Sequence, residues 1–388
     1  MAIPYGTKYY IPITVDNTYV TENLSNFPYQ IDLSSKLSSD SIFKSFIISA
    51  SNISVYDPTS DSTRPRIVEL NLTENFLVVS FDGSTNISEY KTYYVCVGPD
   101  VADSNSSLAL SNSGYTNKWG LDEDTGSTTI YDTVGSNNGT GSSSYIGAEG
   151  VFGKCITYPV NGLSTRFNCG NVSVFNSASE FTIEFMAKFT GSSVSSNGYV
   201  VIKRQSSTSG FFIYYHGYDL SVFIMNGSSS EGNIDSSNFV LGQWHHIAAV
   251  YDGSQATNTD KLKIYVDGSP RVVSFVSNIP SSLPNLSSYN FAIGDDPAST
   301  YRVFNGSLDE VGIMSSLASQ NFLVMRSNQF LEASFWSIGT GQIANNYFRI
   351  FNNGEWGNVT NTQIFIDGSW KQVKHQSAYI DSQWKDTA

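Results

Sequence analysis

The sequence has few charged residues and no excess of positive charge. Asp, Glu, Lys and Arg make up 14 % of its 388 residues, well below the quarter that is usual in soluble domains. The 34 acidic residues outnumber the 21 basic ones, and the formal net charge is −13. Nucleic acid and anionic membrane surfaces both attract positive charge, so neither is an expected partner.

Cysteine and long apolar runs are also scarce. Cys96, Cys155 and Cys169 are an odd number, so at least one thiol is unpaired and no disulfide framework holds the fold. Cys155 and Cys169 could pair, but we favour three buried thiols. The chain has no apolar stretch of about 18 residues, and its first 15 residues lack the pattern of a secretory signal. We therefore expect neither membrane insertion nor a cleaved signal.

Aromatic residues, at 14 %, and many β-branched residues favour strands over helices. Short apolar runs between turn signals over residues 8–97 predict a β-sandwich, and one of these predicted strands lies in Phe46–Val55. A second β region covers residues 115–314, with tight-turn signals such as Asp267-Gly268. One helix is predicted over Ser316–Phe330, capped by Ser316 or Ser319.

The fold class predicted is therefore all-β, in three parts. Residues 1–100 form an N-terminal β-sandwich, and the Ser- and Asn-rich residues 101–114 form a linker. Residues 115–335 form a larger β domain with one terminal helix. Residues 336–388 form a tail of short β-hairpin repeats.

The tail repeats every 14 residues. Each repeat has an apolar pair, a tight-turn signal and then a tryptophan, which is the pattern of a small hairpin. Such hairpins have little core of their own. We therefore expect the tail to pack on the preceding domain or on identical tails of a homo-oligomer. The packing anchors are Trp356, Trp370 and Trp384.

Five separate segments of the central region resemble the laminin-G-like branch of the concanavalin A-like lectin/glucanase superfamily, in order and in spacing. This resemblance implies a jelly roll of two antiparallel sheets. The segments are Phe181–Phe185, Trp244–Gly253, Lys261–Gly268, Phe291–Gly294 and Phe304–Ile313.

The flanking regions resemble parts of phage and bacterial surface proteins. Residues 8–100 are similar to a β-sandwich that precedes laminin-G-like domains in such proteins, with the matching pieces Ile11–Asp16, Asn26–Leu33 and Tyr93–Gly98. The tail is similar to short repeats of phage structural proteins. A virion protein is assembled in the host cytoplasm and leaves by lysis, so it needs no export signal.

The sequence does not predict an enzyme. Glucanase relatives carry Glu-x-Asp-x-x-Glu on one strand, which points the carboxylates into one cleft, and this run is missing here. Glu180 and Glu184 are expected to face outward as solubility residues. The adjacent His245 and His246 point to opposite faces of a strand, and we expect a structural role for both.

The resemblance also implies two kinds of site. Family members bind calcium near the sandwich edge, which here falls on Asp132 and Asp309, with Asn137 or a nearby carbonyl completing the oxygen shell. The alternative is that these are turn or cap residues. Glycan binding by this fold uses loop aromatics, and the candidates are Tyr215, His216, Tyr218 and Tyr301. The alternative is that these side chains fill the surface of strands and turns.

We therefore expect a non-enzymatic virion protein, a tail or head fibre or a decoration protein. Its expected partners are other virion proteins and host or environmental glycans. Two alternatives stay open: a carbohydrate-binding adhesin on a bacterial cell surface, and an inactive glycosidase-like module.

Overall fold

The computed structural model describes residues 3–4, 6–85, 89–98, 108–141, 145–158, 166–190, 198–216, 219–294 and 304–344, together with the backbone of strands in the tail. The chain divides into two compact units, Met1–Gln342 and Ile343–Ala388. The larger unit contains both the N-terminal sandwich and the central β domain.

Two antiparallel sheets, A and B, form the N-terminal sandwich. Sheet A contains β1 (Tyr9–Asp16), β3 (Ile53–Asp57), β4 (Ser62–Arg64), β7 (Tyr90–Val97) and β25 (Trp336–Ile338). Sheet B contains β2 (Leu24–Asp32), β5 (Arg66–Asn71) and β6 (Phe76–Thr85). The strand order is β25-β1-β7-β3-β4 in sheet A and β2-β6-β5 in sheet B. The side chains of β1 alternate between buried and half-buried, because successive residues of a strand point to opposite faces.

Two short helices in the sandwich were not expected from the sequence: α1 (Ser34–Ser39) and α2 (Ser41–Ser45). The Asp40 side chain accepts a hydrogen bond from the backbone N of Phe43 at 2.9 Å and caps α2. The predicted strand within Phe46–Val55 is therefore wrong in its first part, and β3 begins only at Ile53.

Sheets C and D form the central domain and enclose its apolar core. Sheet C consists of β8 (Tyr115–Trp119), β11 (Ile146–Glu149), β12 (Lys154–Tyr158), β14 (Glu180–Phe189), β19 (Trp244–Asp252), β20 (Leu262–Val266), β21 (Ser269–Pro270) and β24 (Gly306–Met314). Sheet D consists of β9 (Thr129–Ile130), β10 (Gly139–Thr140), β13 (Phe167–Asn168), β15 (Gly198–Ser206), β16 (Ser209–His216), β17 (Asp219–Asn226), β18 (Glu231–Ile234), β22 (Ser274–Phe275) and β23 (Ala292–Ile293). Sheet C has the order β11-β12-β24-β14-β19-β20-β21, with β8 also paired to β24. Sheet D has the order β22-β18-β17-β16-β15-β23-β13-β10-β9.

The longest described helix is α5 (Gln320–Leu331), within one residue of the predicted end. Of the two predicted caps, Ser319 is the one used, because its Oγ accepts from the backbone N of Phe322 at 3.2 Å. The helix packs on β19 of the central domain and on β2 of the sandwich. It is too short to cross a membrane, as are the other helices of the described residues. Two very short helices complete the unit, α3 (Leu108–Ser111) and α4 (Asn258–Lys261).

The predicted linker, residues 101–114, includes the short helix α3, which buries Leu110. Residues 101–107 lie outside the described residues.

The thiols of Cys96, Cys155 and Cys169 are all free and buried, as favoured from the sequence.

The tail unit contains the hairpins predicted from its repeat. In each hairpin the tryptophan lies across from an aromatic residue: Phe351 and Trp356, Phe365 and Trp370, and Tyr379 and Trp384. The strands are β27 (Phe348–Asn352), β28 (Glu355–Val359), β29 (Gln363–Ile366), β30 (Ser369–Gln372), β31 (Ser377–Ile380) and β32 (Gln383–Asp386). A two-residue strand, β26 (Gln342–Ile343), lies at the boundary between the units.

Candidate functional site

The four predicted glycan-binding residues do not form one site. Tyr215 is fully buried, and its ring centroid lies 4.5 Å from that of Phe189. It belongs to the apolar core, so the expectation that it stacks on a sugar is not supported. His216 is exposed at the end of β16. Tyr218 and Tyr301 lie outside the described residues.

The outer face of sheet D carries a cluster of aromatic rings. Val222 and Ile224 of β17 point into the core, so Phe223 between them points outward. Phe212 stacks on Phe223 with 4.3 Å between centroids, and Tyr214 stacks on Phe223 at 5.3 Å. Phe212 and Phe223 are buried, whereas Tyr214 is only half-buried. Tyr214 therefore presents an aromatic surface at the exposed edge of the cluster.

Polar side chains lie beside Tyr214 on the same face. In register, Tyr214 lies opposite Ser221, which lies opposite Asn233. Asn233 Nδ2 donates to Ser221 Oγ at 3.0 Å, and Ser221 Oγ donates to Glu231 Oε1 at 2.7 Å. Glu231 and Asn233 are half-buried. We call Tyr214, His216, Ser221, Glu231 and Asn233 the Tyr214 patch.

The patch combines a half-buried ring with a half-buried carboxylate and amide, which the buried Ser221 hydroxyl links through hydrogen bonds. An aromatic ring packs against the apolar face of a sugar, and the polar groups exchange hydrogen bonds with its hydroxyls. Sequence reasoning selected Tyr215 in place of Tyr214 because the run from Phe211 to Tyr215 is apolar on both faces, which hides the direction of each side chain. The alternation in β18, with Glu231 and Asn233 at every second position, was the signal available.

The predicted calcium residue Asp132 is surrounded by hydrogen-bond donors. Its Oδ1 accepts from the backbone N of Lys118 and of Gly135, both at 2.9 Å. Its Oδ2 accepts from Asn117 Nδ2 at 2.6 Å and from the backbone N of Asn137 at 3.0 Å. Calcium needs oxygen ligands, and N–H donors at these distances take the positions that a cation would occupy. Asp132 thus fastens the loop between β9 and β10 to β8, and its hydrogen bonds do not suit a calcium ligand.

Asp309 lies in a different environment. It is fully buried on β24, and its Oδ2 accepts from the backbone N of Val151 at 2.8 Å. Burial raises the pKa of Asp309 well above its usual value, and Glu310 next to it adds to this effect. Among the described residues, no group of three or more His, Cys, Asp or Glu side chains is arranged to hold a metal.

Calcium binding at Asp132, Asn137 and Asp309 stays a prediction, and the N–H donors around Asp132 argue against it. Thermal melts with calcium and with a chelator test it, because a ligand of the native state raises the melting temperature. Identical melts contradict the prediction.

The expectation that Glu184 faces solvent is wrong. Glu184 is buried beside α5, which packs on the neighbouring strand β19. Its carboxylate lies 2.9 Å from Arg326 Nε and 3.1 Å from His246 Nε2. Burial alone would raise the pKa of Glu184, but Arg326 and His246 hold it well below its usual value. His245 points to the opposite face, where its Nδ1 lies 2.8 Å from Asp267 Oδ2. Both histidines thus take part in buried structural contacts, as expected.

The tail tryptophans lie on the second strand of each hairpin: Trp356 on β28, Trp370 on β30 and Trp384 on β32. Their side chains lie outside what the structure describes, so their role as packing anchors stays a prediction.

The fold and the sequence place the central domain in a known class. It is a jelly roll of two antiparallel sheets, and a family model described as "Concanavalin A-like lectin/glucanases superfamily" matches residues 161–321. The chain therefore carries a lectin-like, concanavalin A-like domain preceded by a β-sandwich, and the predicted fold class is confirmed. No curated protein matches the chain.

Solved structures with similarity to the chain include three whose sequences are distant. The binding domain of Paraclostridial Mosquitocidal Protein 1 is 15 % identical with a TM-score of 0.43, covering 56 % of this chain and 53 % of that one. Trypanosoma rangeli sialidase in complex with sialic acid is 10 % identical with a TM-score of 0.41, covering 66 % and 43 %. Ruminococcus gnavus IT-sialidase CBM40 bound to alpha2,3 sialyllactose is 12 % identical with a TM-score of 0.35, covering 45 % and 96 %. The chain thus spans about half the length of the first two.

Proposed function

We propose that this protein is a non-enzymatic glycan-binding protein and that its Tyr214 patch contacts the sugar. The observation that carries the proposal is the half-buried Tyr214 ring beside the hydrogen-bonded chain of Asn233, Ser221 and Glu231. A lectin-like domain makes carbohydrate the favoured ligand class. A non-enzymatic role is favoured because the glucanase run is missing from the sequence and Glu184 is ion-paired in the interior.

Binding of the full-length protein to a glycan array tests this function. We expect a subset of glycans to bind, and Tyr214→Ala to weaken that binding about tenfold or more because the stacking surface is lost. Tyr214→Phe keeps the ring and should retain most of the affinity. Lys263→Ala is the matched control, because Lys263 is exposed on β20 of the opposite sheet. An array without bound glycan, or unchanged binding by Tyr214→Ala, contradicts the proposal.

We further propose that the protein is displayed on a virion as a homo-oligomeric fibre or decoration protein. Display on a virion is supported by the sequence, because residues 8–100 and the tail repeats resemble parts of phage proteins. Other virion proteins and host-surface glycans would then be its partners. Labelled antibodies on purified particles and on intact cells test the location. Labelling of the bacterial surface, and not of particles, supports a cell-surface adhesin in its place.

A further inference from the structure

Charge at the Tyr214 patch restricts the kind of sugar that it accommodates. Glu231 Oε1 already accepts from Ser221 at 2.7 Å, so the carboxylate is fixed on the open face of β18. Asp219 of β17 lies opposite His216 of β16, at the end of the hairpin that these two strands form, and adds a second carboxylate near the patch. A fixed carboxylate accepts hydrogen bonds from sugar hydroxyls and repels the carboxylate or sulfate of an acidic sugar.

The nearest cation described on this face is directed elsewhere. The Arg204 guanidinium lies 5.6 Å from the centroid of the Tyr199 ring and 5.8 Å from that of Phe212. The Glu231 carboxylate, in contrast, accepts a hydrogen bond from Ser221, which lies directly across from Tyr214. A sugar ring stacked on Tyr214 therefore lies beside the Ser221–Glu231 pair, while the guanidinium is engaged with two aromatic rings.

We infer that the Tyr214 patch selects uncharged, hydroxyl-rich sugars and discriminates against sialylated and sulfated ones. This inference rests on the proposed glycan-binding function and deepens it. The net charge of −13 adds repulsion at long range, but salt screens that contribution. The carboxylate of Glu231 lies within the patch itself, so its effect is short-range and persists at physiological ionic strength.

The test is an array that pairs each neutral oligosaccharide with its sialylated and its sulfated counterpart, probed with the full-length protein in about 0.15 M salt. We expect the neutral members to bind and their charged counterparts to bind at least tenfold more weakly. Glu231→Gln should reduce the difference in affinity between neutral and charged sugars several-fold, because the amide keeps the size of the side chain and removes the charge.

Glu180→Gln is the matched control, since it removes one negative charge at an exposed position of β14 on the other sheet. It should leave the preference for neutral members unchanged, and equal melting temperatures of both variants and the wild type show that folding is intact. Equal or stronger binding of the charged members overturns this inference and leaves the proposed function standing. An array without any bound glycan overturns the proposed function and this inference with it.

Discussion

Lys203 is a buried charge in a protein that has few charges. Its ammonium group lies 2.5 Å from Asn171 Oδ1, 2.7 Å from Val172 O and 2.9 Å from Asn176 Oδ1. Burial lowers the pKa of Lys203 to about 8. All three acceptors belong to one loop between β13 and β14, so this single side chain fixes the path of that loop.

Replacement of Lys203 by methionine should destabilise the protein. The apolar chain length is kept, but three oxygens lose their donor, and a buried acceptor left unsatisfied costs about 1–3 kcal/mol. Urea unfolding followed by tryptophan fluorescence measures the change in the free energy of unfolding. Lys263→Met, at an exposed position of β20, provides the control and should change little. Equal unfolding midpoints for both variants would show that Lys203 does not hold the loop.

At the scale of elements, α5 joins the two domains of the larger unit through Arg326. This side chain is fully buried, and it donates to Glu184 Oε1 of β14 at 2.9 Å. It also donates to Pro28 O at 3.1 Å and to Gln30 Oε1 at 3.0 Å, both on β2 of the sandwich. One residue of the helix therefore satisfies groups from both domains, which fixes where the helix lies.

Arg326→Met should destabilise the larger unit strongly, because it leaves Glu184 as a buried carboxylate without its main partner. Breaking a buried ion pair in this way costs about 3–5 kcal/mol. The double variant Arg326→Met with Glu184→Gln removes both charges and should recover part of the loss. A double-mutant cycle from denaturant unfolding measures the coupling. Strictly additive effects would contradict the role given to this pair.

These contacts also explain how far the sequence predicts this molecule. Strands such as β1, which show period two with one buried face, are recognisable from residue type alone. The helix α5 was recognisable from its Ser319 cap. The burial of Glu184 was not, because its partner Arg326 is 142 residues away and no local pattern links the two. Tyr214 was missed for a related reason, since an apolar run does not reveal which side of a sheet is open.

At the scale of the whole molecule, the contact between the sandwich and the jelly roll contains several carboxyl groups. Burial and nearby Asp122 raise the pKa of Glu69 on β5, and the two side chains share a hydrogen bond. A hydrogen bond between two carboxyl groups requires a proton on one of them. Close by, Glu123 Oε1 accepts from the backbone N of Tyr131 at 2.7 Å, while Oε2 is buried without a partner among the described residues.

The protein should therefore be more stable near pH 5 than near pH 8. Burial raises the pKa of Glu123 from 4.5 to about 7. A carboxyl with a higher pKa in the folded state binds more protons when folded, so its contribution to stability is complete below pH 4.5 and is lost as the pH rises through about 7. His245, whose pKa is raised by its hydrogen bond to Asp267 despite its burial, acts in the same direction.

Thermal melts of the full-length protein at constant ionic strength, from about pH 5 to about pH 8, measure this dependence. We expect the melting temperature to fall across the range, and to fall less steeply in Glu123→Gln, because the amide needs no proton to remain buried. The slope that remains in this variant belongs to Glu69, Asp309 and His245. Lys203 opposes it near pH 8, because its lowered pKa lets the unfolded state bind more protons there than the folded state. Glu149→Gln, at an exposed position of β11, serves as the control and should follow the wild-type slope. If Glu123→Gln follows the wild-type slope as well, protonation of Glu123 does not contribute to the stability of the larger unit.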